Sequence, residues 1–169
     1  MGGVGGGGIT MNIRIICVGS LKEGYWKAAC EEYLSRISPY AEIEVIECPD
    51  FPTKDGASEA IESQTKEKEA IRVLKYIKPQ DYVIALDLNK KEYTSPDFAK
   101  HLEQCFVRGG SSVTFLIGGS LGLADSLKNR ANESVTFGKM TFPHQLARVM
   151  LLEQIYRAFR ILHHEPYHK

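Results

Sequence analysis

The sequence lacks the features that mark several broad classes of protein. Its 169 residues include 21 lysines and arginines and 21 aspartates and glutamates, which excludes a uniformly basic protein that coats nucleic acid. No apolar run approaches the roughly 20 residues that a membrane-spanning helix needs. No secretory signal follows Met11. We therefore expect a cytoplasmic protein without a membrane partner.

Cysteine is also scarce, and its spacing is uninformative. Cys17, Cys30, Cys48 and Cys105 form no CxxC motif, so neither a zinc site nor a set of disulfides is predicted. The His-His-Glu run at 163–165 has no cysteine or aspartate at ligand spacing, and adjacent side chains diverge. We expect no metal and reduced cysteines, at least two of them in the core.

Glycine is concentrated at the start of the chain. Residues 1–10 contain six of the fifteen glycines and have neither charge nor periodicity. This segment is typical of a leader or flexible extension. We expect a single domain over residues 11–169, because no repeat or proline-rich linker divides them.

The rest of the chain alternates between short apolar runs and segments of helical length. This pattern predicts an α/β fold in which helices cover both faces of a parallel sheet. Ser95, followed by Pro96 and Asp97, has the features of a helix N-cap. Residues 65–69 are nearly all charged and are expected to form a solvated helix face. Strands are predicted at 13–18, 42–48, 82–87, 112–117 and 134–138, and helices at 24–37, 58–77, 96–107, 124–131 and 144–163.

Three strand-end segments are candidates for a binding site. The turn GGSLG at 118–122 follows a predicted strand; it fits either a ligand crevice or a tight strand-to-helix turn. Asp87, at a strand end, fits either a ligand contact or a turn residue. The loop at 137–144, FGKMTFPH, is unusually apolar and fits either an adenine-sized ring or a buried connection.

Five motifs occur together and in order along the chain. They are YVIALD at 82–87, LIGGSLG at 116–122, MTFPH at 140–144, YRA at 156–158 and HEPYH at 164–168. Together they resemble the bacterial ribosomal RNA large subunit methyltransferase H family, which belongs to the SPOUT methyltransferases. The resemblance implies a parallel-sheet SPOUT-type α/β fold with a C-terminal trefoil knot.

The resemblance also implies an activity. A methyl group would pass from S-adenosylmethionine to N3 of a pseudouridine in 23S ribosomal RNA, within the ribosome. A homodimer is implied, in which the tail of one subunit completes the cofactor site of the other. No metal is needed for this displacement.

The family's functional positions fall on specific residues of this sequence. The implied catalytic candidates are His164, Tyr167, His168 and Arg148, because imidazole and phenol groups can relay a proton. Arg148, Arg157 and Lys169 are candidates for RNA phosphates. The implied cofactor contacts are Leu86, Gly118, Phe137, Gly138, Lys139, Met140, Thr141 and Phe142.

The neutral total conceals an uneven distribution of charge. Residues 1–90 carry 11 basic and 14 acidic side chains, whereas residues 91–169 carry 10 and 7. RNA chemistry is therefore compatible with the composition, since phosphate attraction depends on where charge lies. Two alternatives remain open: a non-catalytic ribosome-binding or assembly factor and, more remotely, a nucleotide-dependent oxidoreductase. The absence of a GxGxxG motif after the first strand disfavours the oxidoreductase.

Overall fold

The computed structural model describes residues 10–168 as alternating strands and helices. The expected N-terminal extension therefore lies, apart from Thr10, outside the described residues. The strands are β1 (Asn12–Val18), β2 (Glu42–Cys48), β3 (Val83–Lys91), β4 (Ser112–Ile117) and β5 (Glu133–Val135). The helices are α1 (Gly24–Ile37), α2 (Glu59–Leu74), α3 (Ser95–Arg108), α4 (Asp125–Arg130) and α5 (His144–Leu162).

The described strands form one sheet in the order β2-β1-β4-β3-β5. Every neighbouring pair in it is parallel, which confirms the predicted α/β class. Because parallel strands all point the same way, their carboxyl ends meet at one edge of the sheet. The segments that follow β1, β3, β4 and β5 therefore leave the sheet side by side.

Both faces of the central strands are covered by helices. Ile15 and Ile16 are neighbours in β1 and both are buried, because successive side chains point to opposite faces. The Ile15 face packs against α3 and α5, whose Leu102 and Ile155 belong to the same core cluster. The Ile16 face packs against α2 and α4. In the described part of the chain, no helix combines the length and apolar character needed to cross a membrane.

The edge strand β2 departs from the prediction of a sheet buried on both faces. Its burial alternates because glutamates occupy every second position at its start, and Glu42 and Glu44 are exposed. The prediction that at least two cysteines lie in the core is confirmed, since all four are buried.

Two element ends differ from the prediction for reasons of local hydrogen bonding. Thr94, not Ser95, is the N-cap of α3, and its hydroxyl accepts a hydrogen bond from the Asp97 N–H. β5 ends at Val135 instead of residue 138, because the Thr136 side chain bonds Gly138 and turns the chain out of the sheet.

The charged stretch at 65–69 is not a solvated face, and that expectation was wrong. Thr65 and Glu69 are buried. Glu69 accepts a hydrogen bond of 2.9 Å from the Phe51 N–H, and Glu67 accepts one of 2.8 Å from the Ser126 hydroxyl. The polar side chains of α2 thus hold the long loop after β2 and the start of α4.

The buried Glu69 makes stability depend on pH. Burial raises the pKa of this carboxyl, and nearby Asp50 raises it further, against the opposing effect of the Phe51 N–H. The folded chain therefore binds this proton more tightly than the unfolded chain does, so stability falls as pH rises through the raised pKa. We expect Glu69→Gln, which keeps an oxygen acceptor, to gain stability over the wild type near neutral pH and lose that gain in acid.

Urea unfolding across a pH series measures this difference. Glu103→Gln removes a negative charge from an exposed position on α3 and serves as the matched control. A difference between Glu69→Gln and the wild type that does not change with pH would contradict the assignment.

Candidate functional site

A cleft of about 350 Å³ opens at the carboxyl edge of the sheet. Its main walls are residues 86–88 of β3, the turn after β4 and the loop between β5 and α5. These are the three segments that the sequence singled out, but β3 continues to Lys91, so Asp87 lies within the strand and not at its end. A volume of this size falls within the range of small-molecule sites.

The glycine turn after β4 is both a tight turn and a wall of the cleft. A Cβ on Gly118 would lie 2.5 Å from the carbonyl carbon of Gly122, so no side chain fits there. Gly122 has φ of +86°, and its N–H bonds the Gly119 carbonyl at 3.0 Å. The two readings of this motif are thus compatible, because the close turn is what leaves backbone groups facing the cleft.

The loop after β5 is fixed at its start by one side chain. The Thr136 hydroxyl donates to the Gly138 carbonyl at 2.7 Å and accepts from the Gly138 N–H at 3.2 Å. Gly138 has φ of +143°, which favours glycine. Farther along the loop, Met140 lines the cleft although it is 77% exposed. The loop therefore presents apolar surface to whatever occupies the cleft.

Most of the predicted cofactor residues line this cleft. Gly138 and Lys139 occupy the same loop, between lining residues. Asp87 also lines the cleft, and its Oδ1 lies 3.4 Å from the Nζ of Lys128 on α4. The predicted residues that line it are Leu86, Gly118, Phe137, Met140, Thr141 and Phe142.

Arg148 does not lie where a residue that binds RNA phosphates would be expected. Its side chain is only 3% exposed, and its Nη1 donates to Glu47 Oε2 at 2.7 Å. Nη2 donates to the Gly19 carbonyl at 3.4 Å, while Glu47 also accepts from the Leu21 N–H at 3.2 Å. In this fold Arg148 ties α5 to β2 and to the turn after β1, so the expectation of a phosphate contact is corrected to a structural role.

His144 stands beside this ion pair at the first turn of α5. Its Cε1 lies 3.3 Å from the position of a Cβ on Gly19, so the imidazole packs on the turn after β1. Burial lowers the pKa of His144, and the Arg148 guanidinium lowers it further. The ring is therefore neutral where it borders the cleft.

The C-terminal tail folds back on α5. Arg160 donates to the Pro166 carbonyl at 2.6 Å and to Glu165 at 3.0 Å. The Tyr167 hydroxyl donates to Glu153 at 2.9 Å, and its ring packs edge-on against Tyr156 with centroids 4.9 Å apart. The tail is therefore held by specific contacts up to His168, while Lys169 lies outside the described residues.

The candidate catalytic side chains of the tail differ in their surroundings. Burial and the hydrogen bond to Glu153 raise the pKa of Tyr167 to about 12, so the phenol stays protonated. His168 Nδ1 lies 3.0 Å from Arg157 Nη1. Since arginine only donates, Nδ1 is the acceptor of this contact. His164 is exposed and has φ of +55°.

The tail does not reach the cleft of its own chain. Tyr167 bonds Glu153, which is nine residues beyond His144 on α5. At 1.5 Å per residue this is roughly 14 Å along the helix axis. A second cavity of about 470 Å³ lies between them, lined by residues that include Tyr93, Phe98 and Glu153. Phe137 borders both cavities.

Comparison with known proteins gives close matches over almost the whole chain. The family model described as predicted SPOUT methyltransferase matches residues 11–168. Ribosomal RNA large subunit methyltransferase H 1 of Clostridium perfringens (strain SM101 / Type A) is 56% identical over 159 residues, 94% of this chain and 100% of the relative. The chain belongs to the ribosomal RNA large subunit methyltransferase H family of SPOUT methyltransferases.

Other members of this family are similarly close. Ribosomal RNA large subunit methyltransferase H of Clostridium botulinum (strain 657 / Type Ba4) is 54% identical, and that of Clostridium tetani (strain Massachusetts / E88) is 55% identical. Each match covers 94% of this chain and 100% of the relative. A solved methyltransferase from Legionella pneumophila with bound SAM aligns with a TM-score of 0.49 and 9% identity, over 88% of this chain and 66% of that one.

One functional candidate of this methyltransferase-family chain was missed by the sequence reasoning. Glu153 accepts hydrogen bonds from Tyr167 at 2.9 Å and from Arg157 Nη2 at 2.8 Å. The i, i+4 spacing of Glu153 and Arg157 on α5 was available as a signal for this pair. Arg157, predicted to bind phosphates, is instead occupied by Glu153 and His168 in the described chain.

The Arg148–Glu47 pair gives an asymmetric prediction. Glu47→Ala leaves a buried guanidinium without its carboxylate, whereas Arg148→Met leaves Glu47, which is 39% exposed and can be hydrated. Breaking a fully buried pair costs about 3–5 kcal/mol. Because Glu47 is partly exposed, the cost here is smaller. We expect Glu47→Ala to lower the free energy of unfolding by about 2 kcal/mol and Arg148→Met to lower it by less.

The free energy of unfolding in urea measures both losses. Glu32→Ala, which breaks an exposed pair with Arg36, is the control and should change the free energy of unfolding far less than Glu47→Ala does. If Arg148→Met proved the more damaging of the two, the buried pair would not have the role assigned to it.

Proposed function

We propose that this chain is an S-adenosylmethionine-dependent methyltransferase that modifies ribosomal RNA of the large subunit, at N3 of a pseudouridine. One observation carries the proposal: most of the positions that the family resemblance assigns to the cofactor line one cleft, although they come from three separate segments of the chain. Family membership supports the methyltransferase class. The C-terminal trefoil knot implied by the resemblance belongs to the same proposal.

The cleft suits the chemistry of S-adenosylmethionine. Leu86, Phe137 and Met140 offer apolar surface for an adenine ring, and the 118–122 turn offers backbone groups for hydrogen bonds. The Asp87 carboxylate, beside Lys128, can face a ligand with both positive and negative groups. When bound, the cofactor supplies an electrophilic methyl group, so the protein has to align the acceptor nitrogen and dispose of its proton.

The tail supplies the candidates for handling that proton. Tyr167 is a hydrogen-bond donor because its pKa is raised, so it suits orientation of a base or of Glu153 better than proton removal. His168 Nδ1 can accept a proton only after it leaves Arg157. His164 has an exposed ring in a tail whose backbone is fixed by Arg160. The flat rings of the tail are also suited to stacking on a base.

We propose a homodimer in which the tail of one subunit reaches the cleft of the other. The cleft lies at the start of α5 and the tail contacts its later turns, so one chain keeps the two apart. A partner subunit could supply the missing side chains at each cleft. Arg157 and Lys169 remain candidates for RNA phosphates, with Arg157 available once its contacts rearrange.

A non-catalytic ribosome-binding factor would use the same fold without turnover. The cleft at 86–88, 118–122 and 137–142 favours the enzyme, since a ribosome-binding factor without turnover has no need of a cofactor site. An assay distinguishes the two functions.

We expect methyl transfer from labelled S-adenosylmethionine to ribosomal RNA. The protein should be incubated with 70S ribosomes, isolated large subunits and naked ribosomal RNA, and the label mapped to a nucleoside by digestion and mass spectrometry. We expect label at N3 of a pseudouridine in ribosomes. Cofactor binding without transfer to any of these substrates would contradict the enzymatic proposal.

The shared site predicts that two inactive subunits can restore each other. Deleting residues 164–169 should abolish transfer while the protein remains dimeric by light scattering. Gly138→Val should abolish cofactor binding, because φ of +143° disfavours a β-branched residue. Mixed dimers of these variants should regain roughly half of the wild-type activity per dimer, since one complete site forms.

A point variant isolates the imidazole of His164. His164→Gly removes the ring and relieves the left-handed backbone conformation, so it should not lower stability.

Mixed dimers of the deletion and Gly138→Val variants without activity would show that the tail and cleft act in the same chain. Full activity of the deletion variant would remove the tail from the reaction.

A further inference from the structure

A cluster of three potential metal ligands lies outside the cleft. In the part of the chain that the structure describes, the ligand atoms of His101, Cys105 and Glu133 lie within 4.8 Å of one another. His101 and Cys105 are one helical turn apart on α3, so they share a face, and Glu133 begins β5. We propose that this His101 cluster binds a divalent transition metal of the zinc class.

The donor set determines the class of metal. One imidazole nitrogen, one thiolate and one carboxylate suit zinc, whereas magnesium and calcium prefer oxygen ligands alone. Tetrahedral zinc with bonds of about 2.0–2.3 Å places its ligand atoms about 3.3–3.8 Å apart. Cys105 Sγ and Glu133 Oε2 are 3.9 Å apart, close to this spacing. His101 Nε2 is in direct contact with Glu133 Oε1, so the imidazole and the carboxylate would have to move apart to admit an ion.

The surroundings orient the ligands. The His101 ring stacks on Tyr93 with centroids 4.8 Å apart and an interplanar angle of 20°, which directs Nε2 toward Glu133. The Tyr82 hydroxyl donates to Glu133 Oε2, the oxygen on the Cys105 side, while Oε1 faces His101 Nε2. Partners of this kind hold a metal-binding carboxylate in position. Arg108 Nη1 donates to the Tyr82 hydroxyl at 3.4 Å.

The site would be open and exchangeable. It has three protein ligands, and the side chains of His101 and Glu133 are 16% and 18% exposed, so a water can occupy the fourth position. Binding forms a metal–sulfur bond and releases the thiol proton of Cys105 to solvent.

The position of the cluster links it to the cleft. Glu133 is two residues before Val135, after which Thr136 starts the cleft loop. A metal bound by His101, Cys105 and Glu133 would link α3 to β5, the strand that precedes this loop. This inference does not depend on the proposed methyltransferase activity.

Titration with Zn²⁺ against a chromophoric chelator, and with Co²⁺ by absorption spectroscopy, tests the proposal on the full chain. We expect one ion per chain, release of one proton, and tetrahedral Co²⁺ bands with a thiolate charge-transfer band. His101→Gln and Glu133→Gln should weaken Zn²⁺ binding by more than about tenfold. Cys105→Ser should remove the charge-transfer band.

Two controls keep the outcome decisive. Cys30→Ser removes another buried thiol and His163→Gln removes an exposed imidazole of the tail, and both should bind as the wild type does. Because Cys105 is fully buried, the partly exposed His101 and Glu133 provide a test that does not depend on that variant's fold. Absence of stoichiometric binding, or binding lost in His163→Gln but kept in Glu133→Gln, would overturn the proposal.

Discussion

The parallel alignment of the strands is the constraint on which the rest of the structure depends. Because β1, β3, β4 and β5 all run in one direction, the turn at 118–122 and the loop at 136–143 meet the end of β3 at one edge. Segments separated by up to about fifty residues in the chain thereby become walls of one cleft. An antiparallel strand would have sent its loop to the opposite edge of the sheet.

The spacing of apolar residues predicted the bounds of strands and helices well where a single periodicity, helical or alternating, ran through the whole element. The bounds of β2, β4 and α1 coincide with the prediction, because each begins or ends at a polar or glycine-containing break. Prediction failed where a side chain bonded the backbone. Thr94 displaced Ser95 as N-cap, and Thr136 turned the chain out of β5 at a point where apolar character alone continued the strand.

The residues that line the cleft could be predicted from the sequence. The buried polar contacts that hold the surrounding elements together could not. The motifs at 82–87, 116–122 and 140–144 are each contiguous in sequence and belong to the set of five that carries the resemblance. The Arg148–Glu47 pair joins residues 101 positions apart, and Glu69 is buried because the Phe51 N–H needs an acceptor. No spacing rule relates such partners, since they are brought together only by the packing of α5 and α2. The His101 cluster combines an i, i+4 pair with a residue of a distant strand for the same reason.

The C-terminal tail is ordered, but it does not lie at the cleft of its own chain. Its contacts with Arg160, Glu153 and Arg157 fix it on α5, away from the cleft of its own chain. This arrangement keeps Tyr167 protonated and His168 engaged. In the homodimer that we propose, a second subunit supplies the tail residues at each cleft.

The most direct test of this account is a crystal structure of the protein with S-adenosylmethionine. The account predicts cofactor density in the cleft, in contact with Leu86, Gly118 and the loop at 137–142, with the tail of a second subunit beside it. Cofactor bound elsewhere, for example in the cavity lined by Tyr93 and Glu153, would contradict it.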